Sequence, residues 1–492
     1  MKSLENLGST DGLARRSLLQ AIGTGALASG LALGDQAQAR APKSDVDSVV
    51  DVAIIGAGFS GLTTGRELRR AGLDSFIILE ARDRVGGRTV NHDIGSGVIS
   101  EGGGQWIGPG QTEIFNLAAE LGVASFDSYH KGKTVYFVGG ESFVQNDAEG
   151  SIVSDSPIVD RINAMARQVP SAAPWTSPLA AEWDRLSLAD WLATQNASEE
   201  DQVNFFLSAT LTYGAPPEKL GLLHYLTLIN SFDSNLKKLE SMKGGAQEKR
   251  LVGGSWILCA KMAEGLQDKI RLSSPVRKII GWDRDVVELH SDTGVIRARH
   301  VIFTASQAVA GKIAFSPALP AERAAMHKAW PVTAKMRKAV HVYPRPFWRD
   351  AGFSGQVLDI GGALLWSADN SPPDGSVGIL TCFVREGALP ADPAKAGPML
   401  AATYAKALGD EALHPLQYHE IDWSNVDEWT VSCVSPYPPG FLTKWGAASR
   451  EPMGRVRWSG TDMAELHPSS MDGAIRTGRK AALQVLGALA RS

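Results

Sequence analysis

The first strong hydrophobic pattern in the chain is a near-continuous apolar run, largely β-branched, from Val49 to Ile55. A strand that is buried on both faces of a parallel sheet shows such a run, because neither of its faces meets water. Leu62 and Leu68 then mark the apolar side of a helix that ends near Gly72, and a second apolar run covers Phe76–Leu79. The pattern therefore predicts a strand, a helix and a second strand of an α/β unit.

Three glycines occupy the turn between the first strand and the helix, in the spacing G-x-G-x-x-G. Gly56 permits a tight turn, Gly58 lets the backbone approach a pyrophosphate, and Gly61 allows close packing of the helix on the strand. The helix N-terminus offers free N–H groups to phosphates, and Glu80 at the end of the second strand can accept ribose hydroxyls. These features in register predict a Rossmann-type dinucleotide site, which by itself suits NAD and FAD equally.

Later segments carry the patterns of a second, mixed part of the chain. Residues 186–192 and 220–232 have the apolar spacing of amphipathic helices, which we expect to roof a pocket. Residues 363–367 and the region of residues 347–348 are expected to form strands of a sheet beneath it. Since 492 residues exceed a single ordinary core, two domains are expected.

The composition excludes several classes of function. Hydrophobic residues make up 44% of the chain and charged residues 21%, as in a soluble globular enzyme. The net charge is -4 and no basic stripe occurs, which argues against nucleic acid as a partner. The three cysteines, Cys259, Cys382 and Cys433, are far apart and give neither a metal-ligand spacing nor a disulfide framework. No metal site is therefore expected.

A separate pattern fills the first forty residues. Arg15 and Arg16 precede a stretch of small and apolar residues that runs to about Leu33, and residues 37–39 (AQA) follow as a small-residue cleavage site. This order predicts a twin-arginine signal peptide over residues 1–39 and export of the folded protein to the periplasm. The apolar stretch is too short and too rich in small residues for a stable membrane anchor. A disordered tail with a chance arginine pair is the alternative.

Two glycine-rich segments beyond the second strand distinguish the cofactor. Residues 81–89 (ARDRVGGRT) and 102–109 (GGGQWIGP) resemble the FAD signature of the flavin amine oxidase superfamily. The resemblance continues to the C-terminus. It implies FAD as cofactor, oxidation of an organic amine, and an α/β fold in which a Rossmann-type FAD-binding domain is interleaved with an α+β substrate-binding domain. The implied FAD-binding domain comprises residues 46–125, 250–317 and 422–492, and the implied substrate-binding domain comprises residues 126–249 and 318–421.

The same resemblance implies further residues that bind FAD. In the family, the arginine-containing turn reaches the pyrophosphate, the second glycine cluster lies beside the flavin ring, and a C-terminal segment closes over the ring. Carried onto this chain, these roles fall on Arg82, Gly87, Arg88, Gly104, Gln105, Val276, Gly460, Asp462 and Met471. Asp462 stands where the family more often has Glu.

A lysine in a predicted apolar strand is the candidate catalytic residue. Alternation with period two puts Lys338, Val340 and Val342 on one face of the strand. An ammonium group among apolar side chains is costly to bury, so its presence indicates a role. The surrounding block resembles the family strand whose lysine holds a water against N5 of the flavin. A solvated lysine on an edge strand is the alternative, and Lys335 is the second candidate for the role.

The expected substrate pocket departs from the family pattern. The family's channel usually ends in two aromatic side chains that sandwich the amine, but Val434 or Tyr437 falls at the first position here. Ser470 falls at the second position, with His467 nearby, and Trp106 is expected to anchor a remote part of the substrate. The missing sandwich favours a bulkier or secondary amine. It extends the resemblance to the nicotine-degradation branch, with pseudooxynicotine as one candidate substrate.

Several alternatives stay open from the sequence. The electron acceptor is O2 or a periplasmic cytochrome, and a homodimer is one option. Cys433 aligns with a cysteine that carries covalent flavin in mitochondrial members, and a buried, inert cysteine is the other interpretation. A desaturase or an amino-acid oxidase of the same superfamily, and a non-catalytic flavoprotein, are the alternative functions.

Overall fold

The structure is a computed structural model that describes residues 48–146, 149–332, 336–423, 425–430, 432 and 434–491. The predicted signal peptide lies outside the described residues, and so do Lys335 and Cys433.

The strands of the described chain form two large sheets and two small ones. In chain order they are β1 (Val49–Ile55), β2 (Phe76–Leu79), β3 (Asn91–Gly95), β4 (Val98–Glu101), β5 (Ser125–Asp127), β6 (Lys133–Val138), β7 (Glu141–Asn146), β8 (Lys249–Leu251), β9 (Ile270–Arg271), β10 (Val276–Ile280), β11 (Val287–Ser291), β12 (Gly294–Phe303), β13 (Ala314–Ser316), β14 (Arg337–Tyr343), β15 (Phe353–Asp359), β16 (Leu364–Asp369), β17 (Gly378–Val384), β18 (Gln417–Asp422) and β19 (Val456–Trp458).

The helices cover the faces of these sheets and build the region between them. They are α1 (Phe59–Arg70), α2 (Thr112–Glu120), α3 (Pro157–Ala166), α4 (Ala180–Asp184), α5 (Leu188–Ala193), α6 (Glu199–Thr212), α7 (Leu222–Asn230), α8 (Leu236–Glu240), α9 (Trp256–Glu264), α10 (Gln307–Ala310), α11 (Ala321–Ala329), α12 (Phe347–Asp350), α13 (Pro393–Leu408), α14 (Phe441–Arg450) and α15 (Met471–Leu489). Among the described residues, none of the helices combines the length and the apolar character that crossing a bilayer requires.

The first large sheet has the strand order β13-β10-β11-β12-β1-β2-β9, with β19 paired to β12. β1 lies in its interior, parallel to β12 on one side and to β2 on the other. Val52 and Ile54 pack with α1 and α15 on one face, whereas Ala53 and Ile55 belong to the core on the other face. Because both faces are covered there, β1 is apolar and nearly or fully buried from Val52 to Ile55, and the predicted strand, helix and strand are confirmed.

The second large sheet has the order β18-β14-β17-β16-β15-β6-β7. Its strands are antiparallel except for β15 and β6, which run parallel. Leu400 and Tyr404 of α13 cover one face and share a core with Ala339 and Tyr343 of β14. β14 is paired on both sides along its length, so Lys338 does not lie on an edge strand.

Residues 347–348 do not form a strand, which corrects the expectation from the sequence. They begin the short helix α12. The prolines at positions 344 and 346 have no N–H group to donate to a ladder, so β14 ends at Tyr343. Trp348 is instead buried, and its Nε1 donates to Asp369 Oδ2 at 2.8 Å. Residues 363–367 do form a strand, β16, as predicted.

The two predicted roof helices are present but differ in character. α5 begins with a capping box between Ser187 and Asp190, and it is amphipathic as expected. In α7, by contrast, every residue from Leu222 to Ile229 is buried. α3, α4 and α5 pack against α7, and its Leu228 faces a cavity. α7 is therefore a fully buried helix rather than an amphipathic one.

The strands of the two large sheets alternate along the chain. β1 and β2 belong to the first sheet, β6 and β7 to the second, β9–β13 to the first, β14–β18 to the second and β19 to the first. β5 and β8 pair with each other near the points where the chain leaves the first sheet and returns to it. The predicted α/β class with two interleaved parts is confirmed, while the boundaries of the two domains stay a prediction.

Candidate active site

A long cavity lies at the carboxyl ends of β1 and β2 and reaches Lys338 of β14. In open α/β sheets, ligands bind outside the carboxyl ends of the strands, so this is the place expected for a dinucleotide. The residues predicted from the sequence that line this cavity are Gly56, Gly58, Glu80, Arg82, Gly87, Arg88, Gly104, Trp106, Val276, Lys338, Val434, Gly460, Ser470 and Met471.

Three of the predicted glycines are required by the protein itself. Gly56 has a φ of +104°, and a Cβ there would lie 2.6 Å from Thr304 Oγ1. A Cβ on Gly61 would overlap the carbonyl oxygen of Gly56, so Gly61 serves the packing of α1 behind the cavity wall. A Cβ on Gly460 would lie 2.5 Å from Thr304 O. These positions need glycine whether or not a ligand binds.

Gly58 and Gly104 differ, because the protein does not require glycine at either. Gly58 has φ -81° and ψ -173°, a conformation that any residue adopts. A Cβ on Gly58 would lie 3.9 Å from Gly87 Cα, and one on Gly104 would lie 3.8 Å from Thr89 Cγ2; both are ordinary contacts. Both glycines line the cavity. The space that a side chain would fill is therefore left for a ligand that the backbone approaches closely.

The N-terminus of α1 provides a site for an anion at the same place. The helix begins after Gly58, with no side-chain cap and no acidic residue in its first turn. Gly58, Phe59 and Ser60 all line the cavity. The uncapped N–H groups and the positive end of the helix dipole suit a pyrophosphate there.

Glu80 occupies the position expected for a ribose contact. It is 3% exposed, and its Oε2 accepts from Ala57 N at 2.7 Å while its Oε1 accepts from Arg82 N at 3.0 Å. Ser274 N donates to Glu80 O at 2.8 Å, which brings Val276 at the start of β10 next to it. The remaining lone pairs of the carboxylate can accept hydroxyl groups. This part of the cavity therefore fits the adenosine portion of FAD.

Arg82 lines the cavity, but its guanidinium group is bound to the protein. Its Nε and Nη2 donate to Asp427 Oδ2 and Oδ1 at 2.6 and 3.0 Å, and Nη2 also donates to Thr430 Oγ1 at 2.5 Å. Arg82 thus has protein partners for Nε and Nη2, and its expected contact with phosphate stays a prediction. Because its fork is used by a bidentate carboxylate, Arg82 fixes residues 427–430 beside the cavity.

Arg84 supports the second glycine turn and was missed in the sequence analysis. Its guanidinium group donates to the carbonyl oxygens of Val85, Gly87 and Thr89 at 3.1 to 3.2 Å. Three carbonyl acceptors on one side chain hold the turn in shape. Arg88 lies in the cavity wall beside this turn. The spacing R-x-R, formed by Arg82 and Arg84, was the available signal in the sequence. Only the fold shows that Arg82 binds Asp427 while Arg84 supports the glycine turn.

The C-terminal segment closes against α1 through Ser60. Ser60 Oγ accepts from Gly460 N at 3.1 Å and lies 2.7 Å from Ser459 Oγ. Met471 begins α15 and lines the cavity. Asp462 lies elsewhere than predicted: it is absent from the described cavity wall, and its Oδ1 is buried without a hydrogen-bond partner. The preceding residue of the same 3-10 turn faces the cavity, and a 3-10 turn rotates the next side chain away by about 120°.

Lys338 is a buried cation at the border of the cavity. It is 2% exposed, and its Nζ donates to Gly103 O at 2.8 Å and to Gln105 Oε1. Nζ also lies 5.3 Å from the centre of the Trp106 ring. Since β14 is an interior strand, the alternative of a solvated edge lysine is excluded.

A chain of buried hydrogen bonds continues from Lys338 into the interior. Gln105 Nε2 donates to Asn370 Oδ1 at 2.6 Å, and Asn370 Nδ2 donates to Glu101 Oε2 at 3.1 Å. Glu101 is ion-paired with Arg250, whose Nη2 lies 2.6 Å from Oε2. Burial by itself raises the pKa of Glu101, but the charge and hydrogen bonds of Arg250 outweigh burial and hold that pKa below its usual value. Gln105, predicted to bind FAD, is thus the link between Lys338 and this network.

A second cavity adjoins the first and shares part of its wall, including Gly104, Trp106, Phe383 and Ser470. The ring centres of Trp106 and Trp366 are 5.3 Å apart, and those of Trp366 and Phe383 are 5.9 Å apart with nearly parallel planes. Aromatic side chains therefore form a continuous wall next to Lys338.

The two positions where the family usually has aromatic residues carry small side chains. Val434 and Ser470 both line the first cavity, and Ser470 also caps α15 by accepting from Gly473 N at 3.0 Å. Trp423, which belongs to none of the motifs recognised in the sequence, lines the same cavity, and its Nε1 donates to Gly102 O at 2.9 Å. A tryptophan directly after a strand was the available signal.

Tyr437 and His467 do not reach the cavity, which corrects the expected pocket. Tyr437 stacks on Phe441 with the ring centres 4.6 Å apart and the planes at 3°. His467 Nδ1 lies 2.9 Å from Asp472 Oδ2, and its ring packs on Phe232. Both rings are thus engaged in the core. Within the described part of the chain, no three His, Cys, Asp or Glu side chains are arranged to hold a metal ion.

Comparisons with known proteins agree with this geometry. Residues 59–486 match the family model of the flavin containing amine oxidoreductases. The chain is 33% identical to AofH of Mycobacterium tuberculosis, named as a flavin-containing monoamine oxidase, over 89% of this chain and 97% of AofH. It is 29% identical to the flavin-containing amine oxidase B of Sus scrofa, over 91% and 88% of the two chains.

Solved structures give the same result. Putrescine oxidase bound to putrescine aligns with a TM-score of 0.81 and 30% identity, over 89% of this chain and 99% of that one. Cyclohexylamine oxidase from Brevibacterium oxydans IH-35A aligns with a TM-score of 0.81 and 31% identity, over 90% and 100% of the two chains. Both alignments extend over nearly the whole fold described above.

The two kinds of glycine predict different effects of substitution. Gly58→Ala should raise the Kd for FAD at least about tenfold, because its methyl group takes the space of the ligand. It should change the Tm of the apoprotein by less than about 2 °C, since no protein atom lies closer than 3.9 Å. Gly61→Ala is the matched control and should lower the apoprotein Tm by more than about 4 °C. FAD titration and thermal unfolding of the apoprotein measure the two effects, and equal destabilisation by both variants would contradict the assignment.

Proposed function

The chain belongs to the flavin-containing amine oxidoreductase family, and on that premise we propose that its substrate is an aryl-alkyl amine. The enzyme oxidises an amine with FAD as cofactor, and the proposal concerns which amine. FAD, when bound, accepts a hydride from the carbon next to the amine nitrogen. The imine that results is hydrolysed to an aldehyde or a ketone, with release of ammonia or an amine.

The aromatic wall beside Lys338 is the observation that carries this proposal. Trp106, Trp366 and Phe383 line the second cavity, and Trp106 and Phe383 also line the first. Rings of this kind bind an aryl group by stacked and edge contacts. The small side chains at positions 434 and 470 leave the amine unclamped at its nitrogen. Binding energy from a remote aryl group would then orient the reacting carbon.

The surroundings of Lys338 favour a neutral amine. Leu211, Met336 and Phe383 make the nearby wall largely apolar, and the charge of Lys338 itself repels an ammonium group. Both effects lower the pKa of a bound amine, so that it can react without a base on the protein. An alkaloid-derived amine, such as an aminoketone like pseudooxynicotine, has the required aryl group several bonds from the nitrogen.

In this proposal Lys338 holds a water molecule and a positive charge at the cavity wall. Its two hydrogen bonds, to Gly103 O and Gln105 Oε1, fix the direction of the ammonium group. A fixed charge in a dry site interacts more strongly with developing charge than a solvated one does, and it needs no reorganisation during the reaction.

The substrate proposal predicts an order among amines. Under anaerobic conditions, 4-phenylbutylamine and a pseudooxynicotine-like aminoketone should bleach the flavin absorbance at least about tenfold faster than benzylamine or butylamine at equal concentration. Stopped-flow absorbance measures the rates. If benzylamine or butylamine is faster than every tested amine whose aryl group lies several bonds from the nitrogen, the proposed substrate class is wrong. If no amine bleaches the flavin, a desaturase or an amino-acid oxidase becomes the better interpretation.

Replacing the buried lysine tests its role. Lys338→Met should retain FAD and slow flavin reduction or reoxidation by roughly two to three powers of ten, because the charge and the bound water are lost. Lys278→Met, on an exposed part of β10, is the control and should leave both half-reactions unchanged. The rates of flavin reduction and of flavin reoxidation are measured separately for each variant. Unchanged rates in Lys338→Met would remove the role or transfer it to Lys335.

The predicted leader supports a proposal for location and electron transfer. We propose that the folded holoenzyme is exported to the periplasm by the twin-arginine route and passes electrons to O2 or to a periplasmic cytochrome there. Substitution of Arg15 and Arg16 by lysine should keep the precursor in the cytoplasm, because the route distinguishes arginine pairs. Fractionation and immunoblotting measure the distribution. Unchanged export would show that another route is used or that these residues are not a leader.

A further inference from the structure

The second cavity has a largely apolar wall that also carries one carboxylate, Glu240, and several neutral polar side chains: Gln105, Gln111, Thr212, Gln247, Ser469 and Ser470. Leu228, Phe232, Leu239 and Met242 form much of its wall away from the flavin site. Glu240, the last residue of α8, also lines it and is 4% exposed. A carboxylate in such a wall is costly unless a partner compensates its charge.

Glu240 accepts hydrogen bonds but has no cation partner among the described residues. Its Oε1 accepts from Ser208 Oγ at 2.6 Å, and its Oε2 accepts from Thr212 Oγ1 at 2.7 Å. Two other buried carboxylates are paired: Glu101 with Arg250 at 2.6 Å, and Asp369 with Arg349 at 2.7 Å. The charge that balances Glu240 must therefore come from outside the described chain or from a proton.

Two glutamines add open acceptors to the same cavity. Gln111 Oε1 and Gln247 Oε1 are buried and have no hydrogen-bond partner, and both side chains line the cavity. Gln111 is 3% exposed, and Gln247 is oriented by its Nε2, which donates to Leu239 O at 3.2 Å. These three acceptor groups suit a ligand group that carries several N–H bonds, while Trp106 Nε1, which is buried without a hydrogen-bond partner, is a donor in the same wall.

We propose that Glu240 binds a second, protonated nitrogen of the substrate, so that the preferred amine carries an ammonium group at the end remote from the reacting carbon. This inference rests on the proposed amine oxidation at the flavin site and concerns the group at the other end of the substrate. It favours a remote ammonium group over the pyridyl group of a pseudooxynicotine-like aminoketone. The aromatic wall of Trp106, Trp366 and Phe383 lies between the two sites and would hold the apolar middle of the molecule. An ammonium group fits because a charge-assisted hydrogen bond compensates a buried carboxylate better than a hydroxyl does.

The ionisation of Glu240 gives this site a pH dependence. Burial raises the pKa of Glu240 to about 7, and the hydrogen bonds from Ser208 and Thr212 act in the opposite direction. The groups that face it from α6 and α7 are these hydroxyls and the phenol of Tyr225, which is hydrogen-bonded to Ser208, and no charged side chain of the described residues contacts it. The carboxylate form exists above about pH 7. Preference for the second ammonium group should therefore be lost as the pH falls below that value.

The test compares pairs of amines that differ only in the remote group. Heptylamine is compared with 1,7-diaminoheptane, and monoamine and diamine pairs of shorter and longer chain length are measured in the same way. 4-Phenylbutylamine is compared with 4-(3-pyridyl)butylamine, whose second nitrogen carries no N–H. In the holoenzyme at pH 8, at least one diamine should exceed its monoamine in kcat/KM by about tenfold or more. The pyridyl compound should show no comparable gain. The ratio within a pair cancels the ionisation of the reacting amine.

Variants at Glu240 locate the preference. Glu240→Gln should reduce the diamine-to-monoamine ratio to about one and abolish its rise with pH. Glu200→Gln removes an exposed carboxylate of α6 and should leave the ratio unchanged. Retained FAD absorbance shows that each variant is folded. Calorimetric binding of a diamine without hydrogens on the carbons next to nitrogen measures the site without turnover.

The outcomes separate this inference from the proposed function. Monoamines that reduce the flavin, together with a diamine ratio near one in the wild-type enzyme, would overturn the inference and leave amine oxidation intact. A high ratio that persists in Glu240→Gln, or a gain confined to the pyridyl compound, would also overturn it. If no amine reduces the flavin, the proposed function fails, and tight calorimetric binding of the diamine that depends on Glu240 would still support the site.

Discussion

The buried ion pair between Glu101 and Arg250 fixes the geometry on which the active site depends. Glu101 ends β4, Arg250 lies in β8, and Asn370 and Gln105 connect the pair to Lys338 in the second sheet. Each buried polar group in this series satisfies the next, and removal of one member of such a pair leaves an unpaired charge that costs about 3–5 kcal/mol. Lys338 thereby places a positive charge beside the cavity.

The cofactor cavity is shaped by two separate demands on the backbone. Gly56 and Gly61 are glycines because the turn and the packing of α1 leave no room for a Cβ. Gly58 and Gly104 meet no such limit from the protein, and the room beside them belongs to the ligand. The first pair is needed for folding of the unit and the second for binding. A G-x-G-x-x-G pattern therefore combines residues that respond to different physical constraints.

The two cavities offer different electrostatic surroundings to the two ends of a substrate. At the flavin site, the apolar wall and the charge of Lys338 disfavour a cation and so favour a neutral, reactive amine. In the adjoining cavity, Glu240 and the open acceptors of Gln111 and Gln247 favour a cation. A long molecule with one protonated and one neutral amino group would be oriented by this difference, because the reverse orientation places the cation beside Lys338 and the neutral amine beside Glu240.

The sequence by itself determined the features that depend on residues close together in the chain. The apolar run of β1, the glycine turn, Glu80 at the end of β2 and Lys338 in β14 follow from local periodicity and spacing. The first three indicated an α/β unit with a dinucleotide site, and the resemblance of residues 81–89 and 102–109 to a family signature implied FAD. The tertiary structure decided the partners of polar side chains. Arg82 binds Asp427, 345 residues away, and Asn370 binds Glu101, 269 residues away. Which of several possible partners a buried polar group takes depends on how the two sheets and the helices pack. For the same reason, the packing of the helices and sheets, and not the local sequence pattern, places Tyr437 and His467 in the core and Glu240 in a cavity wall.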